Sequence, residues 1–124
     1  VKEYVEWQKR VVSHWDKIKI LEIKDNIQGS YNLGDKIEVI TKVFIDKLSI
    51  SIEDLSVQLY YGYLDSKSRI SEPKIKEMEV VDKENCVFKG EIEIDRVGHC
   101  GYVVRILPKF KNKVVYIPGL IKWQ

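Results

Sequence analysis

Between residues 2 and 15, apolar side chains recur at every third or fourth position. The members of this stripe are Tyr4, Trp7, Val11 and Trp15. Residues at that spacing fall on one side of an α-helix, and the charged residues between them fall mostly elsewhere. The pattern predicts one amphipathic N-terminal helix. Its aromatic stripe either packs within this chain or meets another domain.

After residue 16 the apolar positions change to the period of two that is typical of β-strands. Residues 17–20 and residues 21–23 alternate in opposite phase, which predicts a strand with a bulge. The clearest strand covers residues 36–45, with an inner face of Ile37, Val39, Thr41, Val43 and Ile45. Further predicted strands cover residues 57–64, 74–81, 86–95 and 102–107, with short runs at 114–117 and 120–123. Turn-forming residues separate them, at Gly29-Ser30, at residues 32–35 and 82–85, and at Pro108.

These elements predict the fold class and the domain organisation. About seven short strands with turns between them are typical of an immunoglobulin-like antiparallel β-sandwich, here preceded by one helix. No helical stretches separate the strands, which disfavours a parallel α/β fold. The chain of 124 residues begins with Val1, so we expect a piece of a longer protein. Residues 1–16 would form the helix and a linker to an upstream domain, and residues 17–124 the sandwich.

Composition and charge argue against several classes of protein, including nucleic-acid-binding, membrane-spanning and disulfide-rich ones. The chain contains no alanine, the best helix former, which agrees with a β-rich fold. A net charge of +2 gives no field that favours nucleic acid as a partner. No apolar run approaches the roughly 20 residues of a membrane-spanning helix, so we expect no membrane partner. Cys86 and Cys100 are too few for a disulfide scaffold and predict reduced thiols in a cytoplasmic protein, with a single disulfide as the alternative.

The chemistry-bearing residues form no catalytic pattern. His99 and Cys100 are adjacent in a predicted strand and therefore point to opposite faces. Two distant histidines and two cysteines do not have the spacing of a zinc site. The carboxylate pairs Glu77/Glu79 and Glu91/Glu93 are each expected on one solvated strand face. We therefore predict no catalytic, cofactor-binding or metal-binding residue in this chain.

Two residues depart from the apolar pattern of their strands. Arg105 lies in a strand that is otherwise apolar on both faces. Its head group either rests on a carboxylate across the sheet or contacts a partner domain. Tyr60 falls on the opposite face from Val57 and Leu59, which makes it a candidate carbohydrate contact. The other aromatic residues are expected inside, including Trp123, which shares a predicted strand face with Ile121.

Several segments resemble one known family. Residues 101–108 and 119–123, with the sequences GYVVRILP and GLIKW, look like the C-terminal end of bacterial and archaeal α-glucan (glycogen/maltodextrin-type) phosphorylases. In the same order, residues 7–15 resemble the helix that precedes this region in the family. Residues 32–35 (NLGD) and 54–62 (DLSVQLYYG) are similar to two further family segments. The resemblance covers nearly the whole chain.

The resemblance implies a parent enzyme that transfers glucosyl units between an α-1,4-glucan and phosphate with pyridoxal phosphate. In that family the catalytic residues and the cofactor lysine lie upstream, so this chain is expected to hold no cofactor and to be a non-catalytic accessory domain. It would pack on the catalytic domain of the same polypeptide, or on a neighbouring subunit. The candidate interface residues are Tyr4, Trp7, Val11, Trp15 and Arg105. Alternatives are a carbohydrate-binding module that holds α-glucan at Tyr60, and an independent enzyme, which needs a cleft with converging titratable groups.

Overall fold

The computed structural model describes residues 2–26, 32–95 and 98–124. Helix α1 covers Lys2–His14 and continues into a 3-10 turn, Trp15–Lys17, while a second such turn covers Ile52–Asp54. The strands of the described part are β1 (Lys19–Asp25), β2 (Lys36–Phe44), β3 (Leu55–Leu64), β4 (Ile70–Glu77), β5 (Glu79–Asp82), β6 (Val87–Glu93), β7 (Cys100–Phe110), β8 (Lys113–Val114) and β9 (Lys122–Trp123). The turn predicted at Gly29-Ser30 lies outside the described residues. No helix in this part has the length and apolarity that crossing a membrane requires.

The strands form two antiparallel sheets that face one another. The first sheet has the order β1-β2-β6-β5, and the second has the order β4-β3-β7, with β8 and β9 both paired to β7. The predicted antiparallel β-sandwich with one N-terminal helix is confirmed. More strands are present than predicted because residues 74–81 divide at Met78. The chain crosses there from β4 in the second sheet to β5 in the first.

The predicted alternation of β2 and the predicted bulge in β1 are confirmed, whereas Leu21 in β1 is exposed like its neighbour Glu22. The register of the two strands shifts between Ile20 and Glu22, which is the bulge that the phase change predicted. Along β2 the predicted inner-face residues are buried and their neighbours are mostly exposed. By contrast, β7 does not end at Pro108 but continues to Phe110. Proline lacks only the N–H group, and the Pro108 carbonyl still accepts a hydrogen bond from Val115 N–H at 3.0 Å.

The core lies between the two sheets. Val39, Leu59, Val104 and Ile106 are fully buried there, and Cys86 belongs to the same buried cluster. The sheets approach closely at Gly90. An added Cβ on this residue would lie 2.6 Å from Cδ1 of Leu59, so only glycine fits without a shift of its neighbours.

The aromatic stripe of α1 packs within this chain. Trp7 and Trp15 are 5% and 4% exposed, Val11 is fully buried, and Tyr4 packs against this cluster. The Trp7 ring centroid lies 5.1 Å from that of Phe110 in β7. The helix therefore belongs to the hydrophobic core of the sandwich. The expected interface of Tyr4, Trp7, Val11 and Trp15 is not an exposed surface, because β7 and the turns around it already cover it.

Asp54 ties α1 to the turn before β3. Its Oδ1 accepts a hydrogen bond from Trp7 Nε1 at 3.2 Å, and its Oδ2 accepts bonds from Arg10 Nη1 at 2.7 Å and Ser51 N–H at 2.9 Å. The Ser51 side chain in turn accepts from Glu53 N–H, which completes a capping box. The buried indole of Trp7 is thus satisfied by a carboxylate that also caps the turn.

Candidate functional site

The outer face of the second sheet carries a cluster of aromatic and apolar residues around one arginine, and two of them, Ile75 and Trp123, are exposed. Residues paired directly across antiparallel strands share one face, and Tyr60 pairs with both Ile75 and Val103. In the next row, Gln58 pairs with Arg105, and Arg105 pairs with Trp123. We call the following residues the outer patch: Tyr60, Ile75, Val103, Arg105 and Trp123.

Arg105 lies at the centre of the outer patch and is only 8% exposed. Its Nε donates a hydrogen bond to Oε1 of Gln58 at 2.8 Å. Gln58 Nε2 donates to Oγ of Ser56 at 3.0 Å, and Ser56 Oγ donates to Oε1 of Glu77 at 2.9 Å. The interpretation that the Arg105 head group rests on a carboxylate is therefore wrong. Its hydrogen-bond partner is a neutral amide, because Gln58 and not an acid stands opposite it in β3.

Two aromatic rings hold the Arg105 guanidinium. Its central carbon lies 5.5 Å from the ring centroid of Tyr60 and 5.4 Å from that of Trp123. These distances permit cation–π attraction. The two ring centroids are 5.4 Å apart, and the ring planes meet at 87°. The rings and the Gln58 hydrogen bond together fix the orientation of the guanidinium.

Trp123 is 48% exposed, so the expectation that it is buried beside Ile121 is wrong. It lies in β9, a strand of two residues that pairs with β7. Pairing with Arg105 turns its ring to the outer face of the sheet. Periodicity cannot assign a face to so short a strand. Tyr60, half-buried on the same face, lies on the side that its alternation predicted.

A second feature is a cleft of about 450 Å³ between the two sheets. Its lining includes Tyr61 and Tyr63 from β3, Lys74 and Lys76 from β4, and Glu91 from β6. Glu93 and Asp95 also line it. Glu91 and Glu93 lie on the same face of β6, opposite the buried Ile92, with Glu91 half-buried and Glu93 exposed. Glu77 and Glu79, in contrast, do not share one strand face, because Met78 separates β4 from β5.

Two of the charged residues that line the cleft, Asp95 and Lys74, are paired with each other. Asp95 accepts hydrogen bonds from the Tyr63 hydroxyl at 2.9 Å and from Lys74 Nζ at 3.2 Å. The Tyr63 hydrogen bond and then Lys74 lower the pKa of Asp95, and the Asp95 hydrogen bond raises the pKa of Lys74. Both groups therefore stay charged near neutral pH. Neither is poised to exchange a proton in general acid–base catalysis.

The remaining candidate groups do not assemble a nucleophile. His99 is exposed, whereas Cys100 is half-buried, and burial raises the pKa of its thiol. A raised pKa disfavours the reactive thiolate. No disulfide joins Cys86 and Cys100. Within residues 2–26, 32–95 and 98–124, no group of three or more metal-ligating side chains is close enough to hold an ion.

The lysines do not fit the cofactor that the resemblance implies for the parent. Pyridoxal phosphate binds through a Schiff base to a lysine that is activated by desolvation or by neighbouring charge. All lysines of this chain lie in its described part, and none of their side chains is buried. None of them offers the enclosed environment that such a bond requires, and the cofactor stays an expectation about the parent enzyme.

Comparison with known proteins identifies the family. A search of curated proteins finds no match for this chain. The family model described as the glycogen phosphorylase C-terminal domain matches residues 15–124. That range includes both sheets and begins immediately after α1. The resemblance drawn from residues 101–108 and 119–123 is thereby confirmed, and the chain belongs to the glycogen phosphorylase C-terminal domain family.

Proposed function

We propose that this chain is a non-catalytic accessory domain that packs through its outer patch on the catalytic region of the same polypeptide. Membership of the family supports an association with a phosphorylase. As a further part of the proposal, the parent enzyme is cytoplasmic and phosphorolyses α-1,4-glucans with pyridoxal phosphate. The role of the present chain is to stabilise or position that enzyme.

The proposal rests on one observation: the residue types in the outer patch and their fixed arrangement. Arg, Trp and Tyr are the residue types that dominate binding energy at protein interfaces. Here one of each lies in contact on the outer face of β3, β7 and β9, with exposed Ile75 beside them. The hydrogen bond from Arg105 to Gln58, and that from Gln58 to Ser56, already fix the orientation of the guanidinium against the two rings. A pre-ordered patch loses little conformational entropy on binding, which favours association.

A binding experiment with matched variants tests the docking surface. The chain is mixed with the catalytic region of its parent phosphorylase, produced without this domain, and association is measured by calorimetry. Trp123→Ala should weaken binding by at least about tenfold, as expected for an interface anchor. Leu48→Ala is the control, because Leu48 is a fully exposed apolar residue outside the patch. Absence of association would refute docking, and equal weakening by both variants would place the interface elsewhere.

An activity assay tests the non-catalytic part of the proposal. The isolated chain is incubated with maltodextrin and inorganic phosphate, and glucose 1-phosphate is measured. We expect no release, because Asp95 and Lys74 in the cleft are fixed as a charged pair. Release that persists through further purification would contradict the proposal and would favour an independent enzyme.

A second candidate function is glucan binding, favoured by the half-exposed ring of Trp123 next to Tyr60. Sugar rings stack on flat aromatic faces, but these two rings meet at 87° and form no common platform. We therefore expect maltoheptaose to bind no more tightly than about 1 mM, or about −4 kcal/mol. Saturable amide shifts at Tyr60 or in residues 65–73 with micromolar affinity would favour the carbohydrate-binding module instead.

A further inference from the structure

We propose that Arg105 is a receptor for a carboxylate, supplied by an Asp or Glu side chain of the protein surface that covers the outer patch. This inference rests on the proposed docking function and names the chemistry of the partner. According to this inference, the outer patch binds an acidic side chain that is surrounded by apolar residues. A sugar or a phosphate on the same patch would be a different function.

The first argument is charge balance. Burying a cation is unfavourable unless it is paired with an opposite charge. Arg105 is more than nine-tenths buried, yet no ion pair between it and a carboxylate is present in the described part of the chain. Arg10, in contrast, is more exposed and is paired with Asp54 at 2.7 Å. The better buried of the two arginines is thus the one without a counter-charge.

The second argument is the inventory of hydrogen-bond donors. An arginine carries one N–H on Nε and two on each terminal nitrogen. Gln58 uses the Nε donor, and the terminal nitrogens have no hydrogen-bond partner among the described residues. A carboxylate accepts two parallel hydrogen bonds from such a fork, whereas a neutral hydroxyl group cannot neutralise the charge. The donors and the charge together favour a carboxylate over a sugar.

The third argument is preorganisation. The Gln58 hydrogen bond and the rings of Tyr60 and Trp123 fix the guanidinium at the surface of a sheet. An acidic side chain that reaches the guanidinium from a partner covering the patch would be shielded from water by that partner and by the two rings. Electrostatic attraction is stronger in such a low-dielectric environment. The exposed Ile75 extends the apolar surface around the cation, and such a surface favours a folded protein as the partner.

The first test measures the guanidinium directly in the isolated chain. Sodium acetate replaces sodium chloride at constant ionic strength while the Arg Nε–H and Trp Nε1–H resonances are recorded by NMR. The signals of Arg105 and Trp123 should shift saturably in the millimolar range. Arg105→Lys identifies the Arg105 signal, and Arg10, already bound to Asp54, is the internal control that should not shift. Equal shifts of Arg10 and Arg105 would refute a specific receptor.

Parallel titrations separate the other occupants. Inorganic phosphate or maltoheptaose should move the Arg105 signal less than acetate does at the same concentration. A saturable shift at lower concentration with phosphate would overturn the inference in favour of a phosphate site. The same result with maltoheptaose would overturn it in favour of a glucan site. Melting curves of each variant show whether it remains folded.

The second test uses association with the parent's catalytic region. Arg105→Lys keeps the charge but loses the planar fork, and Arg105→Gln loses both. Each should weaken association by at least about tenfold, and Arg105→Gln should also reduce its dependence on salt. If both variants bind like the wild type while Trp123→Ala weakens binding, the carboxylate receptor is refuted and docking stands. If the wild type does not associate, docking is refuted, and the acetate titration alone decides on the receptor.

Discussion

Replacing Asp54 by alanine should destabilise the whole chain and not only its helix. The Trp7 indole N–H would remain buried without an acceptor, which costs about 1–3 kcal/mol. Loss of the cap on the turn at Ser51 would lower the free energy of unfolding by a further amount of about 1 kcal/mol. The Arg10 ion pair adds little, because the arginine side chain is 41% exposed. We therefore expect a loss of about 3 kcal/mol in the free energy of unfolding, within a typical total of about 5–15 kcal/mol.

Urea unfolding followed by circular dichroism measures this loss. Trp7→Phe removes the N–H donor and keeps an aromatic ring, so a double-mutant cycle with Asp54→Ala isolates the hydrogen bond between them. The coupling energy should be about 1 kcal/mol. A coupling energy below about 0.3 kcal/mol would show that the bond does not hold α1 on the sandwich. If Asp54→Ala still unfolds in one transition and its free energy of unfolding falls by less than about 1 kcal/mol, the reasoning as a whole is refuted.

The remaining predictions concern the core, the surface and the ionisable groups. Gly90→Ala should cost about 1–3 kcal/mol in urea unfolding, because its Cβ would meet Leu59 at 2.6 Å, and a neutral outcome would mean that the sheets separate easily there. Trp123→Ala should cost less than about 1 kcal/mol, since the ring is half exposed; a loss near the 3–5 kcal/mol of a buried ring would contradict its placement. A reductant should leave the melting temperature unchanged, because no disulfide joins Cys86 and Cys100, and a drop of several degrees would indicate one. Asp95 has a folded pKa below its ordinary value of 3.8, so the stability it contributes is present above pH 3.8 and is lost as pH falls through the lower folded pKa. NMR titration should show its midpoint below 3.8 and a return toward 3.8 in Lys74→Met, whereas an unmoved midpoint would show that Lys74 does not lower it.

The parts of the fold that the sequence could predict are those with long local periodicity. Nine consecutive alternating residues define β2 and its inner face, and the phase change near Ile20 locates the bulge in β1. The division at Met78 was harder to predict, because the few apolar residues around it, Ile75 before and Val80 after, are too few to define the phase change that accompanies the change of sheet. Trp123 was misplaced for a related reason, since two residues carry no measurable period.

The candidate site depends on pairing between distant segments, which spacing alone cannot supply. Arg105 was recognisable as an unusual residue in an apolar strand, but its partner Gln58 is 47 positions away. That an amide and not a carboxylate faces it follows only from the register of β3 and β7. The helix stripe is a similar case, because the same spacing is compatible with burial within the chain and with burial against another domain.

The crossing at Met78 has a consequence for how the two sheets come apart. A single buried residue joins the last residue of β4 to the first of β5, and its N–H donates a hydrogen bond to the Val57 carbonyl at 2.8 Å. Strands β4 and β5 are edge strands of different sheets, and edge strands are usually the first to open. Because one residue joins them, neither edge strand can move far without moving the other. Fraying of one sheet is thus coupled to fraying of the second, and the sandwich opens along this side as one cooperative unit.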